Sequence, residues 1–468
     1  MNPFLDPRIA LPFLHHYFTD SQRIERMSPH RLERYRDKAL KKILSYAATV
    51  PLYQKAYQYQ GIDLSRIKGI SSIDHLPFIS KQDLRDNFPD RIIPKGYNKD
   101  KAFIVGTGGT TGEPVSIFTD FPTMLRGTAP GIRELNHFSL HWKKSRIVHL
   151  GNFNAYRIDS VFRDNMMKHV QSFTRLDNIL NIDVDKPIKQ IMERLDSFKP
   201  DLIISYPAIF QHLAYLKRKG LGQHIQPKLL QVGGAMLDEY TREYVEDAFD
   251  CPLLNIYPSV EAQANIAFEC EDHSWHIHSD FFQVEAINEK DELVNPGERG
   301  HIVLTRLWGK GTPIVRYTGM NDWVILADET HRCSCGLHSP VFAAPIEGRM
   351  RATIILPNGK VFPPGAFCFI APVLHNLHTY KVKRYQIIQK SLKNIEILLV
   401  IDDDMRDQGP SFEKIAEEII KVYQQKTGPE MKITVKEVKE IPKDPRSGKP
   451  APIVVSLVTP AKAEQVFD

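Results

Sequence analysis

Apolar residues recur at helical spacing through residues 28–50, at Leu32, Tyr35, Ala39, Leu40, Ile43, Leu44 and Ala47, with basic residues between them and Pro51 beyond. This spacing predicts an amphipathic helix. Ser80-Lys81-Gln82-Asp83 sets a hydroxyl N-cap three positions before a carboxylate, and predicts a short helix that stops before Pro89. Farther along, the pattern breaks into short apolar runs at 146–150, 202–205, 229–232 and 253–257. Helical patterns at 208–219 and 238–249 follow two of them. Strand, turn, helix, strand is the βαβ rhythm of a largely parallel sheet.

From residue 281 the texture changes. FFQVEAINEKDELV and GHIVLTRL alternate apolar and polar positions around turns at 289–291 and 295–297, which predicts antiparallel or barrel-like strands. Beyond residue 347, 385–388 and 395–401 predict a hairpin, 411–426 a helix and 432–438 a further strand. The expected fold class is α/β: a large N-terminal domain, 1–346, with parallel sheets and a β-rich subdomain, and a small mobile α+β domain, 347–468. Internal repeats and low-complexity tracts are absent from the sequence.

Composition agrees with more than one domain. The 468 residues, 42% apolar and 25% charged, exceed what one compact core organises. Lys and Arg number 61 against 56 Asp and Glu. The net +5 on so large a surface gives no warrant for nucleic-acid or membrane binding. No apolar run approaches the roughly 18 to 20 residues that span a bilayer. Asp6, Arg8, His15 and His16 interrupt the apolar N-terminus, so it lacks a signal-peptide core. Five cysteines are too few for a disulfide framework, and a reducing cytoplasm is the expected compartment.

The most informative segment is Gly106-Thr107-Gly108-Gly109-Thr110-Thr111-Gly112-Glu113-Pro114, after an apolar strand candidate at 103–105. Glycines let backbone N–H groups approach phosphate oxygens, and threonine hydroxyls add donors. Two familiar phosphate motifs fail. A Walker loop needs GxxxxGK[ST], and no two of these glycines have that spacing. A dinucleotide fingerprint needs glycine where Thr111 stands. Taken alone, the segment is equally compatible with a plain hairpin tip.

Cysteine spacing supplies a second candidate site. Five residues lie between Cys270 and His276, and Cys333 and Cys335 flank a single residue. Together they could form a closed Cys₃His tetrahedral zinc site, structural because no position is left for substrate. His273, His278, His331 and His338 compete as ligands, and reduced, unliganded thiols are the other reading. Cys251 and Cys368 look like ordinary core residues.

The glycine–threonine string resembles the SSGTTGxP signature of the acyl-adenylate-forming superfamily. Other segments, in matching order, resemble its phenylacetate–coenzyme A ligase branch: ALKKILSYAATVPLYQKAYQYQGI, DHLPFISKQDLRDNFP, KPDLIISYPAIFQHLA, LLQVGGAMLDEYTREYVEDAF, NPGERGHIVLTRL and ILPNGKVFPP. Asn255-Ile256-Tyr257-Pro258-Ser259-Val260-Glu261 takes the place of the branch's YGxTE motif.

The resemblance implies that Thr107, Gly108, Gly109, Thr110, Thr111 and Gly112 hold the phosphates of ATP. Tyr257 would lie against adenine, bordered by Gly234 and Ala235, with Ser259 nearby. Glu261 would coordinate Mg²⁺, Asp322 would accept from the ribose hydroxyls, and Arg349 would lie close by. Lys449, in IPKDPRSGKPAP, would stabilise charge as a carboxylate attacks the α-phosphorus. Cysteine–histidine elements like FECEDHSWHIHSD and HRCSCGLH are metal-associated in the branch, which implies zinc on Cys270, His276, Cys333 and Cys335. The implied activity joins a small carboxylic acid, aromatic in the branch, to coenzyme A through an acyl-adenylate. Residues 149–156 and 206–210 are candidates to line the acid pocket, since α/β sites gather beyond strand ends. Other acceptors, namely a carrier protein, an amine or a deazaflavin cofactor, stay open, as do a silent nucleotide-binding relative and a homodimeric assembly.

Departures accompany the match. Pro258 and Val260 replace glycine and threonine, Met236 stands where many relatives carry glutamate, and RYTGMND is one residue longer than RYxTGD. Arg351-Ala352 replaces an acidic hinge pair.

Overall fold

A computed structural model describes residues 3–106, 115–151, 153, 158–172, 175–328, 331–346, 353–358, 360–362, 367–441 and 452–458. The expected amphipathic helix is Pro29–Ala47 and buries Leu40, Ile43, Leu44 and Ala47. Proline at its first position loses no hydrogen bond, because that N–H has no intrahelical acceptor. The short helix is Lys81–Asn87. Ser80 Oγ accepts from the Asp83 amide at 3.1 Å while Asp83 Oδ2 accepts from the Ser80 amide at 2.8 Å, which satisfies two otherwise orphaned donors.

The central sheet has eight strands, in the order Val341–Phe342, Trp275–Ile277, Ala264–Glu269, Leu253–Ser259, Leu229–Val232, Leu202–Ser205, Ile147–Gly151, Ile179–Asp183. The last five pair in parallel, as the βαβ rhythm predicts. Helices Pro207–Arg218 and Glu239–Phe249 carry the crossovers and share an apolar cluster with Val148, Leu150, Ile203, Leu230 and Val232. The remaining three strands add on antiparallel. Leu253–Ser259 belongs to both halves: Leu253–Asn255 pair in parallel with 230–232, and Ile256–Ser259 pair antiparallel with 264–268. The register breaks between Tyr257 and Pro258, where proline has no N–H to give the ladder.

The β-rich stretch forms an antiparallel sheet of Phe282–Ile287, Arg299–Arg306 and Trp323–Ile325. The C-terminal hairpin is present as Val382–Ser391 and Asn394–Ile401 in a four-stranded sheet completed by Lys432–Glu437 and Val454–Ser456. Helix Phe412–Thr427, capped by Ser411, packs on it through Ile415, Ile419 and Tyr423.

The first residues form helix Pro7–Asp20, anchored through a buried ion network. Asp20 pairs with Arg23 and accepts from Arg126 Nε at 2.8 Å, while Arg133 grips both oxygens of Asp280 at 3.0 and 2.9 Å. No helix among the described residues is long and apolar enough to cross a membrane.

Candidate active site and metal centre

Several of the sequence-predicted residues lie at or just beyond the C-terminal ends of the parallel strands Leu229–Val232 and Leu253–Ser259. Gly233 lies flat against the next strand: a Cβ on it would stand 3.0 Å from Ile256 Cγ1 and 3.1 Å from Pro258 Cδ. Gly234 follows with φ +72°, and both it and Ala235 are exposed, so their backbone is open beside Tyr257. The Tyr257 hydroxyl donates to Asp322 Oδ2 at 2.5 Å. The loop to Asp322 turns through left-handed backbone at Arg316 and Asn321, the second a residue type that tolerates it. Arg316 is structural: it holds Glu285 through Nη2 and Nε at 2.9 and 3.2 Å and lies 4.0 Å over the Phe78 ring.

Glu261 is buried and held on three sides. Ser259 Oγ donates to its Oε2 at 2.8 Å, Tyr317 OH to its Oε1 at 3.1 Å, and Arg306 Nη1 to its carbonyl oxygen at 3.2 Å. No cation pairs with its carboxylate among the described residues, so two neutral hydroxyls orient an anionic group that a divalent cation would suit. Sequence reasoning missed Tyr317 and Arg306, because nothing local marks a contact across so many residues.

The glycine–threonine segment, with Thr107, Gly108, Gly109, Thr110, Thr111 and Gly112, lies outside the described residues, as do Glu347, Gly348, Arg349, Arg351, Ala352 and Lys449. Its flanks are described. Ala102–Gly106 pairs antiparallel with Ser116–Asp120, Gly106 opposite Ser116. Thr119 Oγ1 donates to Gln263 Oε1, and Val105 and Gln263 line one cavity with Met124 and Phe162. The hairpin base therefore abuts the turn that carries Glu261.

Of the candidates for an acid pocket, His149 faces Asp159 with Nε2 and Oδ1 4.0 Å apart, and its ring lies 5.7 Å from that of Phe153. Residues 152 and 154–156 are outside the described set. Phe210 is fully buried in the apolar cluster that the helices share with the parallel strands.

The ligand atoms of Cys270, His276, Cys333 and Cys335 all lie within 4.8 Å of one another. Cys270 Sγ is 3.6 Å from Cys333 Sγ, and Cys335 Sγ is 3.2 Å from His276 Nε2. Gly336, at φ +84°, turns the chain back so that its N–H reaches the Cys333 carbonyl at 3.3 Å. His276 Nδ1 meets Ser339 Oγ at 3.0 Å, which leaves Nε2 for a metal. Burial pushes its imidazole down to about 4, so the ring is neutral at pH 7, the form that ligates. The rival histidines are engaged or outside the cluster: His273 Nδ1 with Glu269 at 2.9 Å, His278 between Arg133 and Glu134 at 3.0 Å each, and His331 and His338 exposed. Three soft sulfurs and one imbedded imidazole fit zinc.

In fold the chain is similar to solved coenzyme A ligases. A crystal structure of 2-hydroxyisobutyryl-CoA ligase in the postadenylation state superposes with a TM-score of 0.75 at 16% identity, covering 94% of this chain and 93% of that one. The same ligase in its thioesterification state scores 0.60. In sequence the chain is similar to phenylacetate–coenzyme A ligases: 24% identical over 413 residues to that of Thermus thermophilus, covering 85% of this chain and 86% of the relative. It is 26% identical over 357 residues to that of Aromatoleum evansii, covering 74% and 76%. Residues 369–456 match the CapK C-terminal domain.

Proposed function

We propose that this protein activates a carboxylic acid, aromatic in the leading case, with ATP and passes the acyl group to coenzyme A. The acid's carboxylate oxygen attacks the α-phosphorus, giving acyl-AMP and pyrophosphate. The thiol of coenzyme A then attacks the acyl carbon and AMP departs. The observation that carries this reading is the meeting of Thr119 with Gln263, which joins the glycine–threonine hairpin to the turn bearing Glu261.

In this reading Thr107–Gly112 cradle the phosphates, Tyr257 packs on adenine beside Gly234 and Ala235, and Ser259 orients Glu261. Asp322 accepts from ribose, with Arg349 close to it. Glu261 would hold Mg²⁺, which supplies charge neutralisation on the polyphosphate and eases departure of pyrophosphate. Cys270, His276, Cys333 and Cys335 would hold a structural zinc away from the reacting atoms. The chain divides into domains 1–346 and 347–468, and the smaller one delivers Lys449 for adenylation and withdraws it afterwards.

Acid-dependent exchange of labelled pyrophosphate into ATP tests the first step, and product formation with and without coenzyme A tests the second. Lys449→Ala should slow exchange by about a hundredfold or more, the scale of one charge-stabilising donor in a closed site, while ATP·Mg still binds. Failure of the wild-type protein to bind ATP·Mg would end the reading.

A further inference from the structure

Arg306 closes the strand Arg299–Arg306 and is 0% exposed. Among the described residues no carboxylate pairs with it. Nη1 donates to the Glu261 carbonyl at 3.2 Å, Nη2 to the Thr312 carbonyl at 2.8 Å, and Nε has no partner. Its other neighbours are the Trp308 ring, 5.5 Å away, and the tyrosines Tyr46, Tyr53 and Tyr97. The Asp120 carboxylate also acts on it, while accepting from the Thr123 amide at 2.9 Å as the cap of the helix Phe121–Arg126. Burial pulls the guanidinium down to about 10. A cation so placed, hydrogen-bonded only to neutral carbonyls, carries a desolvation cost that its contacts must offset.

Its two carbonyl partners give it a place in the site. Thr312 is clamped to the hairpin: its N–H donates to the Phe118 carbonyl at 3.0 Å and its Oγ1 accepts from the Phe118 amide at 3.1 Å. Phe118 lies in Ser116–Asp120, the strand leaving the glycine–threonine segment. One guanidinium thus spans from the backbone of Glu261 to the loop that grips the phosphate hairpin.

We infer that Arg306 is a positioning residue for the nucleotide, tying the backbone of Glu261 to the loop that is clamped on the hairpin strand. This rests on the adenylating reading and adds to it a residue that touches none of the reacting atoms.

Three variants of the full chain test it: Arg306→Met and Arg306→Gln, both neutral, and Arg306→Lys. ATP·Mg affinity is measured by calorimetry, melting temperature by scanning, and KM and kcat by pyrophosphate exchange. Removing the charge relieves its desolvation cost but leaves two carbonyls without a donor, so the neutral variants should melt close to wild type. They should nonetheless bind ATP·Mg about tenfold more weakly, the scale of one charge-assisted contact, with the loss in KM for ATP more than in kcat. Arg306→Lys should recover part of that affinity. A folded neutral variant that binds like wild type, or a lysine variant no better than the neutral ones, overturns the inference and leaves the adenylating reading standing. If Arg306→Met does not fold, Arg306→Gln, which can still donate to one carbonyl, decides. Wild-type protein that binds no ATP·Mg overturns both.

Discussion

Tyr240 donates its hydroxyl hydrogen to the carbonyl oxygen of Val382 at 2.7 Å, across 142 positions of the chain. Its helix, Glu239–Phe249, belongs to the central sheet's crossovers, yet its ring is buried in the apolar cluster of the C-terminal sheet. Tyr380 stacks on it with ring centroids 6.2 Å apart, and Arg218 lies 4.6 Å over Tyr244 and 5.0 Å over Tyr380. Lys219 adds an ion pair to Asp404 at 2.7 Å. Any reorientation of the C-terminal part has to extract Tyr240. Tyr240→Phe should cost about 1 kcal/mol, one neutral hydrogen bond, and Tyr240→Ala about 3 kcal/mol or more. Chemical denaturation should show the difference, and limited proteolysis should cut the alanine variant faster around residues 377–381.

The bond from Tyr257 to Asp322 predicts a second pair of outcomes. Under the proposed roles, Tyr257→Phe keeps the ring for adenine and removes one donor from Asp322, so ATP affinity should fall only a few-fold. Asp322→Ala removes the ribose acceptor, and affinity should fall about tenfold to a hundredfold, as for hydrogen bonds to a charged group. Equal effects of the two substitutions would place the carboxylate away from the ribose.

For the metal centre, elemental analysis of purified protein should find about one zinc per chain, because four ligands close one tetrahedral site. Cys333→Ser should lower that content and the melting temperature together, since metal binding is coupled to folding. Neither change should abolish nucleotide binding at the proposed site, since Tyr257, Glu261 and Asp322 are not among the four ligand candidates.

Acid should release the N-terminal helix first. Burial alone would raise the pKa of Asp20, but the hydrogen bond with His16 and the charges of Arg126 and Arg23 hold it well below the usual carboxylate range. A depressed folded-state pKa contributes stability above the unfolded value, near 4, and loses it as pH falls toward the folded value. Trp142, whose Nε1 donates to Tyr17 OH at 2.9 Å, reports the helix. Its fluorescence should change below about pH 4, ahead of the global transition. Asp20→Asn leaves Arg23 and Arg126 without their shared anion and should cost about 3 to 5 kcal/mol at neutral pH.

Much of the fold was legible in periodicity. The helix over 29–47, the capped helix after Ser80, the parallel strands and the C-terminal hairpin all follow from local patterns. The antiparallel extension of the central sheet did not show, because strands buried on both faces, such as Ala264–Glu269, do not alternate. The zinc candidates were legible as residue types but not as a ligand set: five histidines competed, and only tertiary packing sent His278 to Glu134 and left His276 beside Cys335.

By itself the sequence determined which chemistry was available: carboxylates, hydroxyls, thiols and a glycine-rich turn, in an order that resembles an adenylating ligase. The tertiary structure decided which of them meet. Tyr257 reaching Asp322, Tyr317 holding Glu261, Arg306 spanning two loops and Tyr240 entering a second core are contacts between distant residues. They arise from how sheets and helices bury their apolar faces, and no local spacing encodes them.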